Sequence, residues 1–333
     1  MPSTGKRATA SKAERAERQP PFEINGTAVA AGENRKIDVP VARLPTQTML
    51  SMPVMIVHGL RRGPRLWVSA AIHGDEINGV EIVRQVLESV SARDLTGTLV
   101  AVPIVNVFGF IHQSRYLPDR RDLNRSFPGS PRGSLAARLA HLFMTEVVSR
   151  CSHGIDLHTA SHDRSNYPHV RANLDDEETR RCAHAFAAPL TIHSHTRDGS
   201  LREAVTERGI PILLYEAGEA LRFDEEAIRV GVRGIRRVMA AIGMNQPLSD
   251  DEAPDTVEVR QTRWVRASRS GILRTRVREG ERVDEHQVLA LVSDAFGTRS
   301  YKVKSPCAGI VIGQTRNPLV NRGDGIFHLA LHR

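Results

Sequence analysis

Cysteine, lysine, aromatic residues and long apolar runs are all scarce in this sequence of 333 residues. Its three cysteines are widely separated and include no Cys-x-x-Cys pair, which argues against a disulfide framework and against a thiolate zinc site. The longest apolar runs, such as residues 99–105, stop short of the ~20 residues that a membrane-spanning helix needs, and residues 1–22 lack the apolar core of a signal peptide. We therefore expect no membrane partner and a cytoplasmic location.

Lysine supplies 5 of the 46 cationic residues and arginine the other 41. A basic chain raises the question of a nucleic-acid partner. The net charge of +8 is modest for this length, however, and an aromatic content of 5% leaves few platforms on which bases could stack. Charge alone therefore argues against nucleic acid, and the placement of the arginines has to decide their role.

Composition divides the chain into four segments. Residues 1–22 are small, polar and charged, which predicts a disordered tail. Residues 23–245 alternate β-rich runs with helical spacing, which predicts an α/β domain whose mixed sheet is flanked by helices. Pro, Asp and Ser mark residues 246–256 as a linker, and short β-rich runs between glycines predict an all-β module over residues 257–333.

His73 and Glu76 stand between a predicted strand at residues 66–72 and a predicted helix at residues 78–90. A histidine and a carboxylate three residues apart meet on one side of the first turn of a helix, close enough to share a metal ion. The alternative is an ordinary helix start, in which Asp75 caps the helix.

Asp156 and His158 end a short predicted strand at residues 154–158. A zinc site with two histidines and one carboxylate needs a third ligand from a distant strand, and His158 is well placed to supply it. Asp156 points to the same strand face and would support the imidazole from behind. The alternative for His158 is a histidine buried in the core.

Residues 115–129 form a Pro-containing loop with four arginines among its first eleven residues. Arginine grips a carboxylate with a planar fork and keeps its charge when buried, so the loop indicates an anionic substrate. A solvated basic loop is the alternative, which we favour for Arg120 and Arg121.

Glu216 and Glu219 follow an apolar strand predicted at residues 210–215. A glutamate at the end of a buried strand is costly unless it is paired or functional, so Glu216 is a candidate general base beside a metal. Glu219 fits a helix start or the surface better, although spacing alone leaves the choice between the two open.

Together these residues resemble the succinylglutamate desuccinylase/aspartoacylase family of zinc-carboxypeptidase-like deacylases. The resemblance runs over residues 50–245 and rests on four short motifs in the family's order. They are the His73 to Glu76 run, the Arg115-Tyr116 pair leading to residues 122–129, the Asp156 to His158 strand end and the Glu216 to Gly218 turn. The α/β domain is therefore expected to have a zinc-carboxypeptidase-like mixed sheet.

The resemblance also implies a role for individual residues. One zinc ion per chain would be held by His73, Glu76 and His158. The catalytic residues would be Glu216, which activates water, and Arg115, which polarises the scissile carbonyl. The substrate carboxylate would be held by Asn124 and Arg125. We expect residues 161–171 to decide substrate choice, and they add Arg164 and Arg171 as candidate substrate-binding cations.

The implied activity is hydrolysis of the amide bond of a small, carboxylate-bearing N-acyl amino acid, a linear amide other than a peptide bond. Two alternatives stay open. A metallocarboxypeptidase could use Asn124 and Arg125 to hold the terminal carboxylate of a peptide, and pocket depth would separate it from a deacylase. A non-catalytic protein could bind nucleic acid or an acidic partner through residues 258–278, which contain seven arginines, one acid and Trp264.

The C-terminal module resembles the barrel-sandwich fold of lipoyl and biotinyl carrier domains, in runs such as residues 279–283 and 305–310. Carrier function needs a lysine at a hairpin tip near residues 293–297. Residues 293–297 contain no lysine, and the nearest lysines, Lys302 and Lys304, come later in the chain. We therefore expect the module to act as a structural lid or as a contact between copies of the chain in a homo-oligomer.

Overall fold

The computed structural model describes residues 19–161, 163–247 and 253–331. Its α-helices are α1 (Asn78–Ser89), α2 (Val107–Ile111), α3 (Leu135–Glu146), α4 (Glu177–Phe186), α5 (Leu201–Thr206) and α6 (Glu225–Ala241). Its first ten strands are β1 (Phe22–Ile24), β2 (Thr27–Val29), β3 (Glu33–Arg43), β4 (Met49–His58), β5 (Arg61–Ala70), β6 (Thr96–Val102), β7 (His153–His158), β8 (Arg164–Ala172), β9 (Leu190–His193) and β10 (Ile212–Glu219). The later strands are β11 (Val257–Val259), β12 (Thr262–Arg266), β13 (Gly271–Thr275), β14 (Arg282–Val283), β15 (Val288–Ser293), β16 (Ser300–Lys304), β17 (Gly309–Thr315), β18 (Leu319–Val320) and β19 (Gly325–Ala330). Within these ranges, no helix is both long and apolar enough to span a membrane.

A large mixed sheet forms the centre of the molecule. It runs in the order β12-β19-β17-β8-β10-β7-β5-β6-β4-β3, and β9, β11 and β14 pair at its side. Strands β6, β5, β7 and β10 are parallel to one another, whereas β4 and β8 flank this block in the antiparallel direction. The carboxyl ends of β5, β7 and β10 therefore meet at one edge of the sheet, where sites form in folds of this kind.

Helices cover both faces of the parallel block. In β5, Trp67 joins an apolar cluster with Phe143 of α3 on one face, and Val68 joins a cluster with Ile82 of α1 on the other. Helices α2, α3 and α5 contribute to the first cluster, and α1, α4 and α6 to the second. This double cover explains why the central strands are apolar on both faces, and it confirms the predicted mixed α/β fold.

The last residues of the segment predicted as a disordered tail, residues 19–22, pack against the fold. Residues 1–18 lie outside the described residues, but Gln19 is buried and donates from Nε2 to the carbonyl oxygens of Gly59 at 2.6 Å and Gly97 at 2.9 Å. Phe22 is buried in β1, where its ring lies 6.0 Å from that of His58. The polar composition of the segment hid these contacts, because they depend on strands elsewhere in the fold.

The C-terminal strands are divided between the main sheet and a second sheet with the order β16-β15-β13-β18. Between them lies an apolar core that includes Val265, Val292 and Phe327. Two ladders join this segment to the α/β domain: β17 is antiparallel to the first half of β8, and β11 is parallel to β9. Of the predicted linker, residues 248–252 lie outside the described residues.

Candidate metal centre and substrate cavity

Three parallel strands bring the candidate metal ligands to one edge of the sheet. β5 ends at Ala70, three residues before His73, and β7 ends at His158 itself. Glu216 of β10 stands opposite His158 in the ladder between β10 and β7. Residues that are far apart in the sequence therefore converge because their strands run side by side.

The sequence pattern predicted that His73 and Glu76 lie in the first turn of a helix. They lie instead in a tight turn that precedes the helix. The amide of Glu76 donates to the carbonyl oxygen of His73 at 3.1 Å, and α1 begins two residues later. Gly74 packs so closely on the next loop that a Cβ there would collide with the backbone of Gly109. Tertiary packing thus holds this segment in a turn, and Asp75 does not cap α1.

His73, Glu76 and His158 form a buried cluster of three candidate metal ligands. The Nδ1 atom of each imidazole lies 2.7 Å from a different Glu76 oxygen, Oε1 for His73 and Oε2 for His158. The three ligand atoms lie within 4.8 Å of one another, and none of the residues is more than 4% exposed. Two imidazole nitrogens and one carboxylate around a common point fit the ligand set of a zinc site with an open position.

A carboxylate holds the far nitrogen of each imidazole. His158 Nε2 lies 2.7 Å from Asp156 Oδ2, and His73 Nε2 lies 3.2 Å from Asp122 Oδ1. An Nε2–H that donates to a carboxylate leaves Nδ1 available to bind a metal. Asp156 lies where the strand pattern predicted it. No role was predicted for Asp122, because a loop residue 49 positions from His73 gives no local signal.

Burial and charge act in opposite directions on this cluster. Burial lowers the pKa of each imidazole, but the negative charges of Asp156 and Glu76 on His158, and of Glu76 on His73, outweigh it and raise both pKa values above the usual range. Burial likewise favours a protonated Glu76, yet the two imidazoles hold its pKa below the usual range. A metal cation would replace the imidazole protons, so its affinity should fall as the pH falls.

Glu216 reaches the same cluster from β10. Its Oε2 accepts a hydrogen bond from Asn166 Nδ2 at 2.9 Å. Burial raises the pKa of Glu216, and the positive charges of His158 and Arg171 offset this only in part. A carboxylate of this kind beside a metal centre can accept a proton from water and give it back, as a general base does. Glu219 is not among the described residues that line the cavity at this site.

Arg115 lies at the edge of the metal cluster. Its Nη2 and Nε donate to Asp122 Oδ2 at 2.9 and 3.2 Å, and its Nη1 donates to Glu76 Oε1 at 3.4 Å. Two carboxylates therefore fix the orientation of the guanidinium, while a quarter of the side chain stays exposed. A fixed cation of this kind can stabilise an oxyanion that forms beside the metal.

The cluster opens into a cavity of about 370 Å³. The residues predicted for metal binding, catalysis and substrate binding all line it, except Asp156, which lies behind His158. The cavity wall also contains residues to which the sequence analysis assigned no role there. They include Arg197, Arg202, Trp264 and His328, whereas Asn166 and His169 belong to the segment that was expected to decide substrate choice.

Six arginines line the cavity, against two acids, Glu76 and Glu216. Arg115 is paired with carboxylates, whereas the other five have no carboxylate partner among the described residues. These five are Arg125, Arg164, Arg171, Arg197 and Arg202. The Nε of Arg171 is buried without a hydrogen-bond partner, and burial together with Arg171 and Arg197 lowers the pKa of Arg202 to about 10. Arg202 donates to the carbonyl oxygens of Ser194 at 2.9 Å and His195 at 2.6 Å, so what these arginines lack is a negative charge, which an anionic ligand would supply.

Asn124 is anchored by the neighbouring helix. Its Oδ1 accepts a hydrogen bond from the amide of Leu201 at 2.9 Å, and its own backbone amide donates to Asp122 Oδ1 at 2.8 Å. Its Nδ2 has no hydrogen bond to another described residue. That amide and the exposed guanidinium of Arg125 can both donate hydrogen bonds to a carboxylate in the cavity.

The C-terminal segment supplies one wall of the cavity. Trp264 of β12 stands opposite His328 of β19, and their rings stack with centroids 4.4 Å apart. The guanidinium of Arg164 lies 5.1 Å from the Trp264 ring centroid. Burial, together with the charges of Arg171 and other cavity arginines, lowers the pKa of His328 to about 3, so this ring is neutral at pH 7. Trp264 is thus part of the cavity wall, which weakens the nucleic-acid alternative.

Comparison with known proteins places the chain in a family. Residues 62–242 match the succinylglutamate desuccinylase/aspartoacylase catalytic domain, and the protein belongs to this family. Over 294 residues it is 27% identical to the N-alpha-acetyl-L-2,4-diaminobutyric acid deacetylase of Halomonas elongata, covering 84% of this chain and 85% of that protein. The family and this relative indicate an amidohydrolase that acts on carbon–nitrogen bonds other than peptide bonds.

Solved structures support the fold. The product-bound ectoine utilization protein EutE (DoeB) from Ruegeria pomeroyi has a TM-score of 0.81 at 22% identity, covering 95% of this chain and 100% of that one. The succinylglutamate desuccinylase/aspartoacylase from Rhodobacter sphaeroides has a TM-score of 0.80 at 24% identity, covering 89% and 95%. The similarity covers most of the chain, including most of the C-terminal segment.

Proposed function

We propose that the protein is a zinc-dependent deacylase that hydrolyses the amide bond of a small N-acyl amino acid with carboxylates on its amino-acid part. The observation that carries this proposal is the convergence of His73, Glu76 and His158 beside Glu216, in a cavity whose wall also contains six arginines. One zinc ion per chain would bind to the three ligands. Family membership supports the reaction class.

In this reaction, water adds its oxygen to the amide carbon, the carbon–nitrogen bond breaks, and a carboxylate and an amine leave. Zinc at the three ligands would act as a Lewis acid for the carbonyl and would lower the pKa of the attacking water. Glu216 accepts a proton from that water and passes it to the departing nitrogen. Arg115 stabilises the negative charge on the carbonyl oxygen, and Asn124 with Arg125 holds a substrate carboxylate.

The charge of the cavity separates the proposed substrate from that of the Halomonas relative. The name of that relative's substrate denotes a second amino group, which is a cation at neutral pH. Here the five arginines without carboxylate partners would repel such a group. They favour an acidic side chain on the amino-acid part, with Arg164, Arg171 and Arg202 as its binding partners.

The size of the cavity bears on the carboxypeptidase alternative. A volume of about 370 Å³, with Trp264 and His328 in one wall, suits a single modified amino acid better than a peptide. We propose a deacylase domain over residues 23–245 and a barrel-sandwich module over residues 257–333 that completes this wall. A role of the module in contacts between copies of the chain stays part of this proposal.

The test is a screen of zinc-loaded protein against N-acetyl, N-succinyl and N-formyl derivatives of acidic, neutral and basic amino acids. Release of the primary amine is the measurement, with metal-free protein as the control. We expect zinc-dependent hydrolysis of derivatives of acidic amino acids. A correctly folded protein with one zinc per chain that hydrolyses none of these compounds would contradict the proposed function.

A further inference from the structure

Asn166 of β8 holds the carboxylate of Glu216 from the neighbouring strand. Its Nδ2 donates to Oε2 of Glu216 at 2.9 Å, and both side chains line the cavity. Oε1 of Glu216 has no hydrogen bond to another described residue, so it is the oxygen that can receive a proton from water. A base must lie within hydrogen-bond reach of the proton that it removes, which makes the orientation of this carboxylate important.

A β-bulge brings Asn166 to this position. In the ladder between β8 and β10, Glu216 pairs with His169, and Gly218 pairs with Asn166. Between these two pairs β8 advances by three residues and β10 by two. Side chains alternate along a strand, and one extra residue reverses that alternation. The cavity lining shows the reversal, with residues 164 and 166 before the bulge and residues 169 and 171 after it. Without the bulge, Asn166 would lie on the opposite face of the sheet from Glu216.

The strands on both sides of Asn166 place a glycine opposite it, Gly218 in β10 and Gly313 in β17. A Cβ on Gly313 would lie 2.7 Å from Oδ1 of Asn166, closer than real Cβ contacts. Either the Asn166 amide or strand β17 would then have to move. The C-terminal segment therefore packs directly against the side chain that holds Glu216.

We propose that Asn166 is a positioning residue for Glu216, and that β17 fixes the Asn166 amide through the close approach of Gly313. The inference rests on the proposed function, in which Glu216 is the general base. It gives the C-terminal segment a part in catalysis as well as in the cavity wall. Strand β17 contacts the Asn166 amide, and this amide in turn holds Glu216. Groups that orient a reacting side chain typically change activity by about 10- to 100-fold when removed.

The kinetic test is a double-mutant cycle between Asn166→Ala and Glu216→Gln in zinc-loaded protein. We expect Asn166→Ala to lower kcat about 10- to 100-fold, to change KM less than about twofold, and to change kcat less than about twofold when Glu216 is already Gln. Ser165→Ala is the matched control, because Ser165 is the next residue of β8 and does not line the cavity. An equal loss of kcat in both backgrounds, or a change confined to KM, would overturn the proposal.

Gly313→Ala tests the contact from the other side. It should lower kcat in the same direction as Asn166→Ala and add little to it when the two are combined. If Gly313→Ala lowers kcat by the same factor in wild-type protein and in the Asn166→Ala variant, β17 does not act through Asn166. The Asn166→Ala cycle stays decisive if the alanine at position 313 prevents folding.

A spectroscopic measurement separates this proposal from the proposed function. The measurement is the NMR chemical shift of the Asn166 side-chain amide protons, whose signals are assigned from their loss in Asn166→Ala. In wild-type protein these signals should lie downfield of those of a solvent-exposed asparagine, because one proton is hydrogen-bonded to a carboxylate. Glu216→Ala should move them upfield, and Ser165→Ala should not. Unchanged resonances in Glu216→Ala would contradict the contact even in an active enzyme. A clear shift in a protein that hydrolyses no N-acyl amino acid would support the contact and contradict only the proposed function.

Discussion

Two sets of cavity residues differ in how their charges are paired. We call His73, Glu76, His158 and Glu216 the metal end, and Arg125, Arg164, Arg171, Arg197 and Arg202 the arginine end. At the metal end, charged groups pair with one another: His73 and His158 with Glu76, and their far nitrogens with Asp122 and Asp156. The five arginines, by contrast, have no carboxylate partner among the described residues. The metal end is balanced by protons that a cation can replace, whereas the arginine end lacks its anions. A substrate whose amide binds beside the metal ligands and whose carboxylates bind the arginines would complete both sets.

Removal of one ligand from the metal end should have the largest effect. His158→Ala should lose the bound zinc, and all measurable hydrolysis with it, because two ligands hold the ion far more weakly than three. Metal content per chain by mass spectrometry is the measurement. His184→Ala is the control, since His184 is an exposed residue of α4. If His158→Ala keeps one tightly bound zinc per chain, the ligand set is wrong.

A second substitution separates catalysis from metal binding at the same end. Glu216→Gln should lower kcat by about 10²- to 10⁴-fold and keep the zinc, because the amide cannot carry the proton but makes no difference to the three ligands. Steady-state kinetics and metal content decide this together. Glu219→Gln, three residues along β10, should leave both unchanged. Loss of zinc from Glu216→Gln would show that Glu216 has the wrong role.

The arginine end should respond in KM more than in kcat. Arg171→Met removes a guanidinium whose buried Nε has no partner, and it should raise KM for an acidic substrate about 10- to 100-fold, as expected for loss of a charged hydrogen bond. Arg208→Met, on an exposed residue after α5, should have no effect. An unchanged KM for Arg171→Met would show that the substrate carboxylate binds elsewhere.

The smallest expected effect is on stability. The pKa of His328 is about 3 in the folded protein, so below pH ~6.5 the unfolded chain binds a proton that the native ring does not. The free energy of unfolding should therefore fall as the pH falls from about 6.5 towards 3, with about 1 kcal/mol lost through His328 by pH 5.5. His328→Phe keeps a ring against Trp264 but cannot titrate. Urea denaturation at pH 7.5 and 5.5 should show a smaller loss for this variant, and an equal loss would contradict the assignment.

The sequence predicts the metal end well because its information is local. Apolar runs mark the strands, and polar residues directly after those runs mark the edge where His73, His158 and Glu216 meet. The turn at residues 73–76 could not be predicted in the same way. It depends on the packing of Gly74 against Gly109, which belongs to the tertiary structure.

The arginine end is much harder to predict, because it is assembled by strand pairing. Strand β8 is polar and contains Pro168, which argues against a central strand, and the proline is accommodated at the bulge. The bulge then reverses the alternation that sequence reasoning would apply to Asn166. Trp264 and His328 become neighbours only through the ladder between β12 and β19. No local sequence pattern predicts the pairing of β8 with β10 or that of β12 with β19.

In the proposed function, the metal ligands and the five arginines together select the substrate. The most direct test compares kcat/KM of zinc-loaded protein for N-acetyl-aspartate and for N-alpha-acetyl-2,4-diaminobutyrate, which differ mainly in the charge at the end of the side chain. We predict that the acidic compound is preferred by at least about tenfold, and that Arg171→Met narrows this preference. Preference for the compound with the cationic side chain would contradict the account.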